Sequence, residues 1–274
     1  KFSPNITVNT AYNSGEGTIR GTDETIDLLN GSIGTAAGYG VGPMFILGSS
    51  SEVSQAICGI EGDSVGNGSG DQINDLGFLS RIVRGLGIPE VKTANGGGTN
   101  ADSLLPASWR RRLFQIGCTH VIHEGGVNDT RGGTLTLEQL QAQDIAKWRR
   151  SNDEGARVLV TTMTPTGTSS TDAYATVENQ TILNGTAQSV RVARNNWIRA
   201  GAPLNPTTFA PLAAGASGAV TFGQAGHPAV GYLEVADLVE SARDSGLFGA
   251  GYTGDGLHIA AARQIAMAPL LSGA

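Results

Sequence analysis

Apolar residues beyond the first fifty positions occur either in short runs or at helical spacing. The run 56–60 is short and apolar and ends in a glycine-rich turn, which is typical of a buried parallel strand. Over 71–86 the apolar residues recur at helical spacing instead, which predicts an amphipathic helix directly after the strand. The apolar residues at helical spacing there are Ile73, Leu76, Leu79, Ile82, Val83 and Leu86.

The same alternation continues to the end of the chain. Thr136 and Gln139 have the spacing of a capping box and open one of the predicted helices. Strands and helices that alternate at this spacing predict a parallel sheet with helices on both faces. The further helices are expected at 101–115, 136–150, 187–200 and 259–271, and the further strands at 118–123, 157–162 and 231–239.

Residues 1–50 differ in character from the rest. They are rich in Thr, Asn and Gly and carry short alternating stretches such as 6–8 and 18–20. We interpret them as an N-terminal β-rich extension or small appendage. The α/β domain is then expected to span 51–274.

Charge and composition narrow the classes of partner. The 274 residues carry a net charge of −6, so no basic field is present to hold nucleic acid. No apolar run approaches the roughly 20 residues of a membrane span. Two cysteines, Cys58 and Cys118, are too few for a disulfide scaffold. Both fall at the starts of predicted core strands, where free buried thiols are expected and a single bridge is the alternative.

A serine stands in the turn after the first predicted strand, in the sequence Gly62-Asp63-Ser64-Val65. A serine in such a turn can sit at a helix N-terminus with its hydroxyl exposed, where backbone N–H groups also bind anions. Taken alone, the motif is more often an ordinary turn or N-cap.

Asp255 and His258 stand three residues apart just before the closing helix. Acyl transfer by serine requires a base within hydrogen-bond reach, and the base requires an orienting carboxylate. A turn can place the carboxylate against one imidazole nitrogen and leave the other to face the serine. A cap beside a surface histidine is the alternative interpretation of this pair.

Two further turns carry groups that could stabilise an oxyanion. Asn128, in the segment 126–129 after the strand at 118–123, can point its amide above the sheet edge. The glycines 96–98 allow a backbone N–H to approach a substrate oxygen closely. An Asx-turn and a flexible turn are the respective alternatives.

Together, and in this order, the four motifs resemble the SGNH hydrolases, also called GDSL-type esterases and lipases. The resemblance runs from about residue 57 to residue 271. It implies a flavodoxin-like, three-layer α/β/α fold and a serine esterase that needs neither a metal nor an organic cofactor. It also implies that Ser64 is the nucleophile, His258 the base and Asp255 the residue that orients it.

The resemblance further implies an oxyanion hole made by the backbone N–H groups of Ser64 and Gly98 and the side-chain amide of Asn128. Gly98 matches the family's turn glycine better, and Gly97 stays an alternative. Asp63 and Asp129 match positions that usually tie the loops together.

Several residues depart from the family pattern or invite another interpretation. Glu61 stands at a strand end that is commonly apolar in the family, Glu124 occupies the comparable place, and Ile259 stands where proline is usual. Buried carboxylates at these positions would need partners. His120 and His123 before Glu124 could suggest a metal site, but residues three apart on a strand point to opposite faces, so no metal is expected.

The expected substrate is a short acyl ester, most favourably an acetyl ester, of a carbohydrate or another polar alcohol. The segments 65–70, 95–103 and 164–172, which are expected to border the site, are poor in large apolar residues. Candidates for a short apolar wall are Leu204, Phe209, Leu212 and Phe222.

Two alternatives remain open: a lipase or lysophospholipase of the same family, and a binding module that keeps the fold without hydrolysis. The chain begins at Lys1 without an initiator methionine, which is compatible with removal of a leader. Secretion or a periplasmic location is a hypothesis on that basis. The oligomeric state is left open.

Overall fold

The computed structural model describes residues 56–72, 76–182 and 185–272. All four sequence motifs fall within these ranges. The predicted β-rich extension over 1–50 lies outside the described residues and stays a prediction.

A five-stranded parallel sheet forms the centre of the described part. From one edge to the other its strands are β2 (Glu90–Lys92), β1 (Cys58–Glu61), β3 (His120–His123), β4 (Arg157–Thr161) and β7 (Gly231–Leu233). The chain thus moves outward first to one side of β1 and then to the other. This is the flavodoxin-like order, so the predicted α/β fold class is confirmed. A separate antiparallel pair is formed by β5 Gly167–Ser170 and β6 Gln180–Ile182.

Helices connect and flank the strands. The described α-helices are α1 Ser64–Asn67, α2 Gly77–Gly85, α3 Asn100–Leu104, α4 Trp109–Leu113, α5 Val127–Arg131, α6 Leu137–Asp153, α7 Gly185–Arg199, α8 Ala236–Val239 and α9 Ala261–Ser272. Among the residues that the structure describes, no helix combines the length and the apolar character that crossing a bilayer requires.

Two apolar clusters cover the two faces of the sheet. Strand β4 contributes to both, because Val158 and Val160 point to one face and Leu159 to the other. On the face of Leu159, α2 and α9 pack over β1 and β3. On the face of Val158 and Val160, α6 and α7 pack over β4. In the second cluster the rings of Trp148 and Trp197 stack with centroids 5.4 Å apart.

Local sequence signals account for where several elements begin and end. The capping box predicted for Thr136 and Gln139 is present at the start of α6. The single helix expected over 101–115 is instead α3 and α4 joined by a 3₁₀ turn at Pro106–Ser108. Proline disfavours helical backbone at the preceding residue, and Leu105 is accordingly extended, with φ −63° and ψ 145°.

The last strand is shorter than the predicted 231–239. It ends at Leu233, and α8 begins at Ala236. The Thr162 hydroxyl accepts the backbone N–H groups of Val235 and Ala236 at 2.8 and 2.9 Å. These two N–H groups therefore bond to a side chain and not to a neighbouring strand, and β7 ends before them.

Both cysteines are free thiols buried on the sheet. Cys58 opens β1, and Cys118 lies two residues before β3. Burial raises the pKa of Cys58 to about 12 and also raises that of Cys118.

We therefore expect both thiols to be unreactive in the folded chain, because the thiolate is the reactive form. Titration with a thiol reagent should give two groups per chain after denaturation without reductant, and neither before it. A denatured chain with no titratable thiol would instead reveal a disulfide.

Candidate active site

The predicted site residues lie on loops that leave the sheet at one edge. Ser64 follows β1, Gly98 lies in the loop after β2, and Asn128 follows β3. Strands β1 and β3 are neighbours at the position where the strand order reverses. In open parallel sheets of this kind, ligands bind beyond the carboxyl ends of the strands at this reversal.

The turn that carries Ser64 is a short helix start. Asp63 is the N-cap of α1, and its Oδ1 accepts the N–H of Val65 at 2.8 Å. Ser64 is the first helical residue, so its own N–H points out of the helix end. No acceptor for that N–H is present among the described residues.

Ser64, His258 and Asp255 form a continuous hydrogen-bond chain. The Ser64 Oγ lies 2.9 Å from His258 Nε2, and His258 Nδ1 lies 2.6 Å from Asp255 Oδ2. A carboxylate opposite Nδ1 favours the tautomer with the proton on that nitrogen, which leaves Nε2 free to accept from the hydroxyl. The structure thus brings together three residues that the sequence places as far as 194 positions apart.

Asp255 is held as a carboxylate by the turn in which it sits. Partial burial would raise its pKa, but hydrogen bonds from the backbone and ring of His258 and from the backbone of Leu257 outweigh burial and lower it. Its Oδ1 accepts the N–H groups of Leu257 and His258 at 2.9 and 2.8 Å. The same carboxylate therefore fixes the turn and orients the imidazole.

The hairpin β5–β6 and its connecting turn pack against the Asp255–His258 turn. Gly167 donates its N–H to the carbonyl of Gly256 at 2.7 Å, and the Tyr174 hydroxyl lies where a Cβ on Gly256 would be. Tyr174 itself has φ +64°, a left-handed conformation that is uncommon for a residue with a side chain. No periodicity predicts this hairpin, because its strands have only four and three residues.

The oxyanion candidates lie on the loops that follow β1, β2 and β3. One amide hydrogen of Asn128 is donated to the carbonyl of Gly98 at 3.0 Å, and the amide carries a second. The N–H of Gly98 donates to the carbonyl of Asn95 at 2.9 Å. The N–H of Gly97, where φ is +75°, has no acceptor among the residues described.

Asp129 ties the loop after β2 to the helix after β3. Its carboxylate oxygens lie 2.9 and 3.1 Å from the N–H of Asn100. The Asn100 side chain in turn bonds to Asp144 at 3.0 Å and accepts from Lys147 at 2.8 Å, both on α6. The loop that carries Gly97 and Gly98 is thereby anchored next to Asn128.

The two unusual glutamates are both buried, and both have partners. Glu61 lies against cations: Arg150 Nη2 is 2.7 and 2.8 Å from its two carboxylate oxygens, and Lys147 Nζ is 3.9 Å away. Burial would raise the pKa of Glu61, but the neighbouring His123, Lys147 and Arg150 outweigh burial and lower it. Glu124 accepts the backbone N–H groups of Asp63 and Gly66 at 3.2 and 2.9 Å.

The histidines before Glu124 face different surroundings. His123 is buried, and its Nε2 bonds to the Ser151 hydroxyl at 2.9 Å. Burial lowers the pKa of His123 to about 3, so it is neutral. The half-buried His120 bonds instead to the hydroxyl of Thr119. Within the described ranges, no group of three or more His, Cys, Asp or Glu side chains is placed to hold a metal ion.

Solved structures share the fold of the chain. A protein from Desulfitobacterium hafniense assigned to the lipolytic G-D-S-L family gives a TM-score of 0.53 at 11% identity, over 80% of this chain and 98% of that one. A protein from Bacteroides fragilis assigned as an acylhydrolase gives 0.51 at 13% identity, over 81% and 87%. A GDSL-like lipase from Bacteroides thetaiotaomicron gives 0.50 at 12% identity, over 80% and 87%.

No protein-family model matches the chain, and no curated protein matches it. The likeness to the solved structures shows that the chain has the fold of the GDSL-type hydrolases, in agreement with the resemblance of its sequence motifs. At 11–13% identity, what these structures share with the chain is the fold.

The contact between Gly256 and Tyr174 can be tested by stability. Gly256→Ala places a Cβ on the Tyr174 hydroxyl at a residue with φ +77°, so we expect the free energy of unfolding to fall by about 1–3 kcal/mol. Gly254→Ala is the matched control, because a Cβ there meets nothing within 4 Å and the φ is ordinary. Equal denaturation midpoints for the two variants would contradict this packing.

Proposed function

We propose that this chain is a serine esterase of the SGNH hydrolase family, with Ser64 as nucleophile, His258 as base and Asp255 as its orienting acid. The observation that carries the proposal is the hydrogen-bond chain from Asp255 through His258 to Ser64, at 2.6 and 2.9 Å. It lies at the strand-order reversal where such folds bind ligands. The shared fold with GDSL-type hydrolases supports the same conclusion.

The geometry suits acyl transfer through a covalent intermediate. His258 Nε2 takes the proton of the Ser64 hydroxyl as Oγ attacks the ester carbonyl. The imidazolium that forms is stabilised by Asp255 and then gives its proton to the leaving alcohol. Water attacks the acyl-enzyme next, with His258 again as base, and the acid is released.

The oxyanion of each tetrahedral intermediate would be held by donors that are not already engaged. The Ser64 N–H and the second amide hydrogen of Asn128 meet this requirement. Of the two glycine candidates, Gly97 has the N–H without an acceptor in the described part, whereas that of Gly98 closes a turn onto Asn95. We therefore favour Gly97 as the third donor, with Gly98 bonded to Asn128 and orienting its amide.

A short acyl group fits the surroundings of the site better than a long one. Large apolar side chains that are exposed in the described part lie outside the loops that carry Ser64, Asn128 and His258; they are Leu86, Leu105, Trp109, Phe114, Ile116, Ile265 and Leu270. Of the four residues expected to form a pocket wall, Leu204 is fully buried, and Phe209 and Phe222 are partly buried and pack with it in the Trp148 cluster. These three side chains are therefore part of the core and do not line an acyl groove. The proposed substrate class is the acetyl ester of a carbohydrate or a similar alcohol.

Substitution of the proposed nucleophile tests the function directly. Ser64→Ala should leave the chain folded and lower kcat for p-nitrophenyl acetate by at least about 10³-fold, since the triad acts as a unit. Asn128→Ala should cost roughly 10²- to 10³-fold as an oxyanion donor. Ser189→Ala and Asn152→Ala, on α7 and α6, are the matched controls. Near-normal turnover by Ser64→Ala would refute the proposal and favour the binding-module alternative.

A series of p-nitrophenyl esters from two to twelve carbons tests the acyl length. A groove that buried the chain would add about 0.8 kcal/mol, or about fourfold in kcat/KM, for each CH₂. We expect no such gain beyond the shortest esters, because the flanking loops offer little apolar surface. A steady rise beyond eight carbons would favour the lipase alternative instead.

A further inference from the structure

The carboxyl group of Glu124 lies directly beneath the turn that carries Ser64. A Cβ on Gly62 would come within 2.6 Å of Glu124 Oε2, and one on Gly66 within 2.8 Å. Ser64 is therefore flanked on both sides by glycines whose missing side chains leave room for this carboxyl group. The turn is wrapped around Glu124.

Hydrogen bonds attach the turn to two carboxyl groups. Glu124 Oε2 accepts the N–H groups of Asp63 and Gly66 at 3.2 and 2.9 Å, and Asp63 Oδ1 accepts the N–H of Val65 at 2.8 Å. These three donors immediately surround Ser64 in the sequence. The direction of the Ser64 side chain thus depends on where the two carboxyl groups are held.

The two carboxyl groups are buried side by side without a counter-ion. Asp63 and Glu124 are 2% and 3% exposed, and Glu124 Oε2 lies 3.2 Å from the backbone nitrogen of Asp63. No ion pair in the described part includes either of them, and Asp63 Oδ2 is buried without a donor there. Two adjacent buried carboxylates repel strongly, and such pairs keep one proton between them.

We propose that Glu124 is a positioning residue that works in its protonated form: it donates its proton to the Asp63 carboxylate, accepts the N–H groups of the turn, and so holds Ser64 facing His258. The proton supplies the donor that Asp63 Oδ2 lacks. No bond to carbon changes, and the proton stays within the pair during turnover. The consequence for catalysis rests on the proposed esterase function.

The other charged groups near the pair do not replace this proton. The charge of Lys147 acts on both carboxyl groups, but its Nζ donates to Asn100 and faces Glu61. Burial, and next the charge of Asp63, raise the pKa of Glu124 well above its ordinary value, against the opposing effect of Lys147. The groups that face the pair or its adjoining cavity are Lys147 on α6, Asp129 on α5, Glu61 on β1, Arg111 and Arg112 on α4, and His258 beyond Ser64.

The raised pKa sets the direction of the pH dependence. The stability that the proton confers is complete below the ordinary glutamate pKa of about 4.3 and is lost as the pH rises toward the folded-state pKa. Glutamine at position 124 keeps the shape, accepts the same N–H groups and carries a permanent donor for Asp63. Glu124→Gln therefore copies the protonated state at every pH.

The test compares Glu124→Gln with Glu124→Ala and with the exposed control Glu178→Gln. We expect Glu124→Ala to lower kcat by about 10²-fold, the cost of misplacing a reacting group by roughly 1 Å, and Glu124→Gln to restore most of it. In the pH profile of kcat, the natural chain should lose activity at alkaline pH as the pair loses its proton. This alkaline decrease should be absent from Glu124→Gln alone.

Thermal unfolding provides a readout that does not require turnover. The Tm of Glu124→Gln minus that of the natural chain should grow as the pH rises from about 4, while Glu178→Gln shows no trend. A pH-independent difference, or a Glu124→Gln variant as impaired as Glu124→Ala, would overturn the inference. Failure of the esterase proposal would look different: no ester would be turned over, yet the Tm difference would still grow with pH.

Discussion

The pairing of β1 with β3 is the interaction on which the site depends. Their register sets Glu61 opposite His123, and the ladder continues by one bond, from the N–H of Glu124 to the carbonyl of Glu61 at 2.8 Å. The turn after β1 is therefore level with the loop after β3, and Ser64, Glu124 and Asn128 meet at one edge. A slip of one residue would turn each side chain to the opposite face.

Beside this pairing, two buried glutamates are accommodated by different means. Glu61 is matched by Arg150 and Lys147, which stand three residues apart on one face of α6 and so also fasten that helix to the sheet. Glu124, one strand away, lies against another carboxyl group and is best neutralised by a proton. An unpaired buried charge is costly in either place, so the presence or absence of a nearby cation decides which solution applies.

Local patterns predicted four of the five strands of the sheet and most helices, because strand periodicity and the capping box are short-range signals; β2, with only three residues, was not predicted. Ser64, Asp255 and His258 were each ambiguous alone, and the order of the four motifs along the chain, which resembles that of the SGNH hydrolases, gave them their roles. The apolar pattern over 101–115 predicted one helix, but the proline ring of Pro106 interrupts it between α3 and α4. The partner of Glu61 lies 89 residues away on α6, which no local pattern predicts. The preference for Gly97 over Gly98 as oxyanion donor rests on the turn itself, in which the N–H of Gly98 bonds to Asn95 and its carbonyl accepts from Asn128.

The nucleophile and the base must also be held in register with each other, although 194 residues separate them. The hydrogen-bond chain from Asp255 through His258 to Ser64 cannot do this alone. The Asp255 side chain is 55% exposed, so its attraction for His258 is screened by solvent. Gln264, buried in α9, supplies the connection: its amide donates to the carbonyls of Ser69 and Ile259 at 3.1 and 2.7 Å and accepts from Phe78 at 3.0 Å. The end of the Ser64 turn and the residue after His258 are thus bonded to one side chain. The short distance between Ser64 and His258 is therefore imposed by the fold beneath them as well as by their own attraction.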